Sequence, residues 1–211
     1  MNNKILVAAA VLVAGGCASM APMPDVAKLT QDALHSSFRD KGIAKVSRLQ
    51  QDEVQAACSS DRAPSNAELQ HLQAQALASM HWPTGGVYLG DWKAGEKLAQ
   101  NGRGMTWNDK SAEPAHNGGS CYNCHQLTKS EISFGTIGPS LYHYGKLRGV
   151  SDPYSPQSAP IVQYTWAKLW NAKAYGACSN MPRFGHEGIL DEHQIRDLMA
   201  LLLDPKSPVN Q

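Results

Sequence analysis

The stretch that most constrains this chain is CYNCH, which places Cys121, Cys124 and His125 within one pentapeptide. C-x-x-C-H is the attachment pattern of a c-type haem. Each thiol adds to one vinyl group of the porphyrin, and the two-residue spacer sets the sulfurs one short turn apart. The following histidine reaches the iron from the same side. The motif therefore predicts one covalent haem c on Cys121 and Cys124, with His125 as an axial ligand of the iron.

Two other interpretations of the motif compete with haem attachment. A redox dithiol of the thioredoxin kind also uses C-x-x-C, but it needs an alternating strand pattern and a helix start, which the sequence around the motif lacks. A zinc site needs a second pair of ligands at short spacing, and Cys58 and Cys178 stand singly and far away. Haem attachment is therefore the favoured interpretation. A purely structural metal module would be excluded if the protein kept its colour after denaturation, because only a covalently bound haem survives unfolding.

His125 leaves the sixth position of the iron to be filled. Met181 lies in the stretch ACSNMPRFGHEG, where Pro182 disfavours helix at the residue before it. A thioether on such a segment can close an apolar pocket, so we expect Met181 to be the second axial ligand. A His and Met pair raises the reduction potential and favours electron transfer. The reserve candidates for this position are Met105, His143 and His186.

Further residues are expected around the haem. In IGPSL, Pro139 can offer a carbonyl oxygen to the free N–H of His125, and an ordinary Gly-Pro turn is the alternative. Arg183 either pairs with a haem propionate or faces solvent. Trp166, Trp170 and Tyr164 are core residues, and in a haem domain that core would be the haem wall.

The N-terminal sequence MNNKILVAAAVLVAGGCASMAP has the form of a secretory signal and predicts a signal peptide over residues 1–21. Cleavage before Cys17 would leave a lipidated cysteine at a membrane surface, whereas cleavage near Ala18 or Ala21 would remove it. Either way the mature protein is expected in the periplasm. Because isolated thiols rarely persist in an oxidising compartment, the remaining pair, Cys58 and Cys178, is the candidate for a structural disulfide.

Helical signals dominate the rest of the chain and predict an all-α fold. A helical extension is expected over residues 25–82, with one helix around QDEVQAAC and another after the capping box SNAE. The predicted cytochrome domain covers residues 83–211, with helices in DWKAGEKLAQNG, in IVQYTWAKLWNAKAYG with Gly176 as its stop, and in LDEHQIRDLMALLLDP. Asp191 and Gln194 frame the start of the last helix as a capping box. The formal net charge of +1 gives no basic footprint, so a nucleic-acid partner is not expected.

CYNCH, IGPSL, CSNMPRFG and the ending LDEHQIRDLMALLLDPKSPVN together resemble the SoxX family, the monohaem subunits of the SoxAX cytochrome complexes of thiosulfate-oxidising bacteria. The resemblance covers residues from about 95 to 210. It implies a class I cytochrome c fold, with haem on Cys121 and Cys124 and with His125 and Met181 as axial ligands.

The resemblance also implies a function and partners. In this family the chain pairs with a SoxA-like dihaem or monohaem cytochrome, which carries the chemistry. The complex oxidatively joins thiosulfate to a cysteine of a SoxYZ-like carrier. This chain would be the electron-accepting subunit of an L-cysteine S-thiosulfotransferase, without a catalytic nucleophile of its own, and would pass electrons to a downstream cytochrome. The rival functions are a stand-alone periplasmic electron shuttle and a haem-based gas sensor.

Overall fold

The computed structural model describes residues 24–211, so the expected signal segment and Cys17 lie outside the described residues. Within that range the chain forms helices and turns and no β-strand, apart from one isolated bridge between Lys41 and Ala44. The prediction of an all-α chain is confirmed for the described part.

The described chain divides into two units, one that ends at Phe38 and one that spans Arg39–Gln211. The first contains helix α1, Val26–Ser37, whose N-cap Asp25 accepts a hydrogen bond from the backbone N–H of Lys28 at 2.9 Å. No residue of α1 is buried.

The second unit holds all the predicted site residues from Cys58 onward. Its α-helices are α2 (Glu53–Cys58), α3 (Asn66–Ala78), α4 (Trp92–Gln100), α5 (Tyr144–Leu147), α6 (Ala159–Trp170) and α7 (Glu192–Leu203). Short 3₁₀ turns lie before, between and after these helices, at Val46–Leu49, Thr84–Gly86, Pro114–His116, Cys121–Asn123, Pro156–Ser158, Ala172–Tyr175 and Pro208–Asn210.

Helix α7 is the centre of the core. Its N-cap Asp191 and residue Gln194 form the capping box expected from the sequence, and from Leu198 to Leu203 every side chain is buried. The helix packs against α4, α5 and α6. Each buried leucine removes apolar surface worth about 1.5 to 3 kcal/mol from water, so α7 contributes much of the stability of this unit.

Helices α4 and α7 approach each other closely because Gly95 lies at their crossing. A Cβ at Gly95 would overlap the backbone carbonyl of Asp197. The buried carboxylate of Asp197 accepts a hydrogen bond from the backbone N–H of Asp91, the N-cap of α4, at 2.8 Å. This contact fixes the N-terminal end of α4 against α7.

The helices predicted from the sequence are present, including the short one that ends at Cys58. The helix expected to run to Gly176 is shorter, because α6 ends at Trp170 and a 3₁₀ turn follows it. Helix α3 has the predicted capping box between Ser65 and Glu68. It packs against the turn Ala172–Tyr175 in the same compact unit as the predicted cytochrome domain. Residues 39–82 therefore share one unit with residues 83–211, although the sequence suggested a boundary between them. The packing of α3 is a long-range contact that local patterns do not encode.

None of the helices in residues 24–211 has both the length and the apolar composition needed to cross a bilayer.

Candidate functional site

A single tight turn presents the cysteine motif. Cys121–Asn123 form a 3₁₀ turn, entered from Ser120 at φ +49°. The backbone N–H groups of Cys124 and His125 both donate to the carbonyl oxygen of Cys121, at 3.1 and 2.9 Å. These two hydrogen bonds close the pentapeptide on itself, so its two thiols and its imidazole are brought together by local backbone geometry.

The imidazole of His125 is oriented by the loop that follows. Its Nδ1 lies 2.7 Å from the carbonyl oxygen of Pro139, which confirms the contact expected from IGPSL. A carbonyl oxygen only accepts, so Nδ1 carries the proton and Nε2 keeps a free lone pair. Gly138 makes this approach possible, because a Cβ at that position would overlap the imidazole ring. The backbone N–H of Gly138 also donates to the carbonyl oxygen of Cys124 at 2.9 Å.

A largely apolar cavity of about 570 Å³ lies beside this turn. Its wall includes Cys121, Cys124 and His125, together with Met181, which is more than fifty residues away in sequence. Leucines form much of the remaining wall: Leu127, Leu141, Leu169, Leu198, Leu201 and Leu202. A cavity of this volume with few polar groups matches the general character of cofactor sites.

Met181 reaches the cavity from a segment without regular secondary structure. The segment between Gly176 and Leu190 contains only turns and bends. The backbone N–H of Met181 donates to Oγ of Ser179 at 3.2 Å, and its partly buried side chain packs against the core. The structure thus places the predicted second ligand in the same cavity as His125.

The reserve ligand candidates lie elsewhere and do not line the cavity. Met105 offers its backbone carbonyl to Arg48. His143 is the N-cap residue of α5, and its Nε2 lies 2.6 Å from the backbone oxygen of Gln211. His186 is exposed on the far part of the Met181 segment. Of the four candidates, only Met181 shares the cavity with the cysteine motif.

Two cations that the sequence did not single out line the cavity, Arg148 and Lys168. The Arg148 guanidinium lies 3.7 Å from the centre of the Tyr144 ring. Burial lowers the pKa of the Lys168 ammonium. No ion pair within residues 24–211 involves either cation. These two charges therefore lack an acidic partner in the described part of the protein and would suit an anionic group of a ligand.

Arg183, the cation that the sequence offered for a propionate, has a different role. It pairs with Asp52 and with Glu187, each at 2.6 Å, and it does not line the cavity. Arg183 therefore neither lies at the cavity, where a propionate would be, nor faces solvent. The partner Asp52 lies 131 positions away in the chain, so no local pattern could have revealed the pair.

The tryptophans of α6 are core residues, as predicted, but they do not form the wall of the cavity. Trp166 is fully buried, stacks on Trp170 with ring centres 5.8 Å apart, and donates its indole N–H to the carbonyl oxygen of His81. Neither tryptophan lines the cavity. Of the three aromatic residues expected at the wall, Tyr164 does line the cavity, together with Thr165, Lys168 and Leu169 of the same helix. The tryptophans are core residues on another side of the helix, because only one face of α6 can meet the cavity.

The four cysteines of the described chain fall into two classes. Cys121 and Cys124 are free thiols, and burial raises the pKa of Cys121 to about 12, so its thiol is neutral at ordinary pH. Cys58 and Cys178 form a disulfide, with Cα atoms 5.4 Å apart, as proposed from cysteine parity. Residues 24–211 contain no cluster of three His, Cys, Asp or Glu side chains that could hold a metal ion by themselves.

Comparison with known proteins places the chain beside a lipoprotein. No protein-family model matches it. An uncharacterized lipoprotein of Aquifex aeolicus (strain VF5) is 34% identical over 167 residues, which is 76% of this chain and 73% of the relative. This chain belongs to the family of that lipoprotein. Because the alignment covers about three quarters of both chains, the relationship extends over most of the protein.

Proposed function

We propose that this protein is a monohaem c-type cytochrome that transfers electrons, with a class I cytochrome c-like domain in residues 83–211. The observation that carries the proposal is the composition of one cavity wall. Both thiols of the C-x-x-C-H motif, its histidine and Met181 line the same apolar space. A protein that only used the motif as a turn would have no need of a large cavity beside it.

The residues of the cavity fit a covalently bound haem. Cys121 and Cys124 supply the two thiols for thioether bonds, and the apolar walls exclude water from the ring. His125 has its Nδ1–H donated to Pro139, which leaves the Nε2 lone pair for iron. The thioether of Met181, in the same cavity wall, would supply the second protein ligand of the iron. Bound there, a haem supplies reversible one-electron chemistry at its iron.

Arg148 and Lys168, which form no ion pair within residues 24–211, would suit the acidic groups of a haem. A haem carries two propionate carboxylates, and Arg148 and Lys168 would offset their charge. Because burial lowers the pKa of Lys168, a nearby carboxylate would raise it again. The structure thus offers a cationic pair at the cavity in place of Arg183.

The resemblance to the SoxX family supports a more specific function. On that basis we assign the protein as the electron-accepting subunit of a SoxAX-type L-cysteine S-thiosulfotransferase, with a SoxA-like cytochrome as its partner. The SoxYZ-like carrier and a downstream acceptor cytochrome would be transient partners. No residue of this chain is assigned as a nucleophile in that reaction.

The family relationship supports export and lipid anchoring. The relative is named a lipoprotein, and Cys17 follows a signal-like apolar run in this chain. We therefore propose a periplasmic protein anchored by a lipid on Cys17. The intact mass of the purified mature chain tests this, because a lipid-modified Cys17 adds the mass of its acyl chains. Release of the Cys17→Ala variant from the membrane fraction is the expected companion result.

The central test is whether haem is attached covalently. The chain, produced in a bacterium with a cytochrome c maturation system, should give a pyridine haemochrome spectrum with one haem per chain. It should also keep its haem after denaturation. The variant C121A/C124A should lose this signal completely, whereas C58S/C178S should retain it. A colourless wild-type chain would refute the proposal.

A second experiment tests Met181 as a ligand. Met181→Ala should abolish the near-infrared charge-transfer band from sulfur to ferric iron and should open the ferrous protein to carbon monoxide. Met105→Ala is the matched control and should change neither signal, because Met105 lies outside the cavity. Rapid carbon monoxide binding by the wild type would instead favour a gas sensor.

A third experiment tests the complex. Affinity purification from the native host should recover a second, larger cytochrome in a near one-to-one amount. Recovery of this chain alone, with haem attached, would favour the stand-alone electron shuttle.

A further inference from the structure

The segment that carries Met181 is fastened on both sides of that residue to the same short helix. Three residues before Met181, Cys178 is bonded to Cys58, the last residue of α2. Two residues after it, Arg183 pairs with Asp52, the N-cap of α2. Helix α2 is therefore joined to the chain on both sides of Met181, by a covalent bond before it and by an ion pair after it.

The ionic link also organises α2 itself. One oxygen of the Asp52 carboxylate accepts the backbone N–H of Gln55 at 2.8 Å, and the other accepts from Arg183 at 2.6 Å. Burial tends to raise the pKa of this carboxyl, but the Gln55 N–H and the Arg183 guanidinium outweigh it and hold the pKa below its ordinary value. The same carboxylate thus caps the helix and binds the Met181 segment.

Nearby groups reinforce this arrangement. The Arg183 side chain is only 12% exposed and makes its second ion pair with Glu187, four residues further on. The buried ammonium of Lys173 donates to the backbone carbonyl of Ser179 at 2.8 Å. The segment on either side of Met181 is therefore tied to other parts of the fold.

Helix α2 is not anchored by a fully buried side chain of its own. It is six residues long, and none of them is buried. A helix of this length is not stable alone in water. The disulfide and the ion pair therefore hold α2 and the Met181 segment against each other.

We propose that α2, through the Cys58–Cys178 disulfide and the Asp52–Arg183 ion pair, positions the Met181 thioether in the cavity, and that reduction of this disulfide releases it. Cys58, Asp52 and Arg183 are thus positioning residues that act through Met181. The inference rests on the proposed function, because Met181 needs a bound haem iron as its target.

Release of Met181 requires that a reductant reach the Cys58–Cys178 disulfide. Cys178 is exposed and Cys58 is half-buried, and exposed disulfides are the more readily reduced ones. The reductant is a dithiol, either a small molecule or a thioredoxin-like protein. The S–S bond breaks, Cys58 and Cys178 each take up one electron and one proton, and the dithiol loses two electrons and two protons to become a disulfide.

The first experiment measures the state of Met181 in the haem-loaded protein before and after reduction. The disulfide is reduced with dithiothreitol, both thiols are alkylated with iodoacetamide, and the iron is reoxidised with ferricyanide so that only the disulfide differs. We expect the sulfur-to-iron charge-transfer band to weaken. The rate of carbon monoxide binding to the ferrous form, which follows the released fraction of Met181, should rise about tenfold or more. Hydrogen exchange in residues 176–187 should accelerate.

The second experiment removes the ionic link alone. Asp52→Asn keeps a residue that caps helices well but loses the charge that faces Arg183. We expect the rate of carbon monoxide binding to rise by up to about tenfold, and Asp52→Glu to restore most of the wild-type rate. The matched control is Asp32→Asn, which removes the carboxylate of an exposed ion pair with Lys28 in α1 and should leave the rate unchanged.

The outcomes separate this inference from the proposed function. If the wild type carries haem with Met181 bound, and neither reduction nor Asp52→Asn changes the band or the carbon monoxide rate, the positioning role is refuted and the cytochrome remains. If haem is attached but the wild type lacks the band, Met181 is not the ligand and the inference falls. If no haem is attached, both fall. Should C58S/C178S fail to fold, reduction of the folded wild type supplies the same comparison.

Discussion

The cysteine turn and the Met181 segment line one cavity, but they are held in opposite ways. Cys121–His125 closes through backbone hydrogen bonds that span three or four residues. The Met181 segment depends on a disulfide to a residue 120 positions away and on an ion pair that spans 131 positions. The first half of the site is therefore set by local geometry, and the second half by the tertiary fold. A change that disturbs one half should leave the other largely intact.

The largest expected effect comes from removing the disulfide. C58S/C178S should lower the free energy of unfolding by about 4 to 5 kcal/mol in the chain-entropy account, because the bond closes a very long loop. Chemical denaturation of the two proteins measures the difference. Covalent haem on Cys121 and Cys124 should persist in the variant, since the turn does not depend on the bond. An unchanged midpoint and slope of denaturation would contradict this expectation.

A smaller effect is expected from disturbing the turn itself. Gly138→Ala forces a methyl group into the His125 ring, and overpacking of this kind typically costs about 1 to 3 kcal/mol. The variant should be less stable to denaturant and should hold the His125 ring less firmly, with a changed ferric haem spectrum.

Gly176→Ala is the control for this variant. Gly176 lies at the start of the Met181 segment, has an extended φ of −175°, and a Cβ there would meet only ordinary van der Waals contact with Ser179. It should therefore change neither the stability nor the spectrum appreciably. If both substitutions have equal effects, the close approach of Gly138 to His125 is not what limits the site.

The smallest effect concerns the pH dependence of stability. The folded-state pKa of the Asp52 carboxyl lies below its ordinary value of 3.8. The stability from this group is therefore fully present above that value and is lost as the pH falls through the lower folded-state pKa. Because the Asp52 side chain is 40% exposed, solvent screening limits the contribution to less than about 1 kcal/mol.

Acid titration of the free energy of unfolding checks this. Asp52→Asn should flatten the curve below pH 4 relative to the wild type, and Asp32→Asn provides the comparison with an exposed pair. A steeper curve in the Asp52→Asn variant would mean that the carboxyl is not stabilised in its charged form.

Much of the local structure could be predicted from the sequence. The capping boxes at Ser65 and Asp191 correctly located the starts of α3 and α7, because cap residues act within one turn of the chain. The contact between His125 and Pro139 was foreseen on chemical grounds, because a ligating imidazole normally donates its free N–H to a carbonyl oxygen and IGPSL offers one fourteen positions later.

Other features depended on contacts that no local pattern contains. The sequence suggested Arg183 as a propionate partner, but Arg183 pairs with Asp52, the N-cap of a helix that the Cys58–Cys178 disulfide also links to the Met181 segment. It did not single out Arg148 or Lys168, because their placement at the cavity depends on how α5 and α6 pack around α7.

By itself, the sequence determined the cysteine motif, the helices and the set of candidate second ligands. Only the tertiary structure decided among those candidates, by placing Met181 at the cavity and leaving Met105, His143 and His186 outside it. The physical reason is the range of the interactions involved. Backbone hydrogen bonds and caps act over a few residues and can be recognised in the order of amino acids. Packing, ion pairs and a disulfide join residues more than a hundred positions apart, and these exist only once the chain has folded.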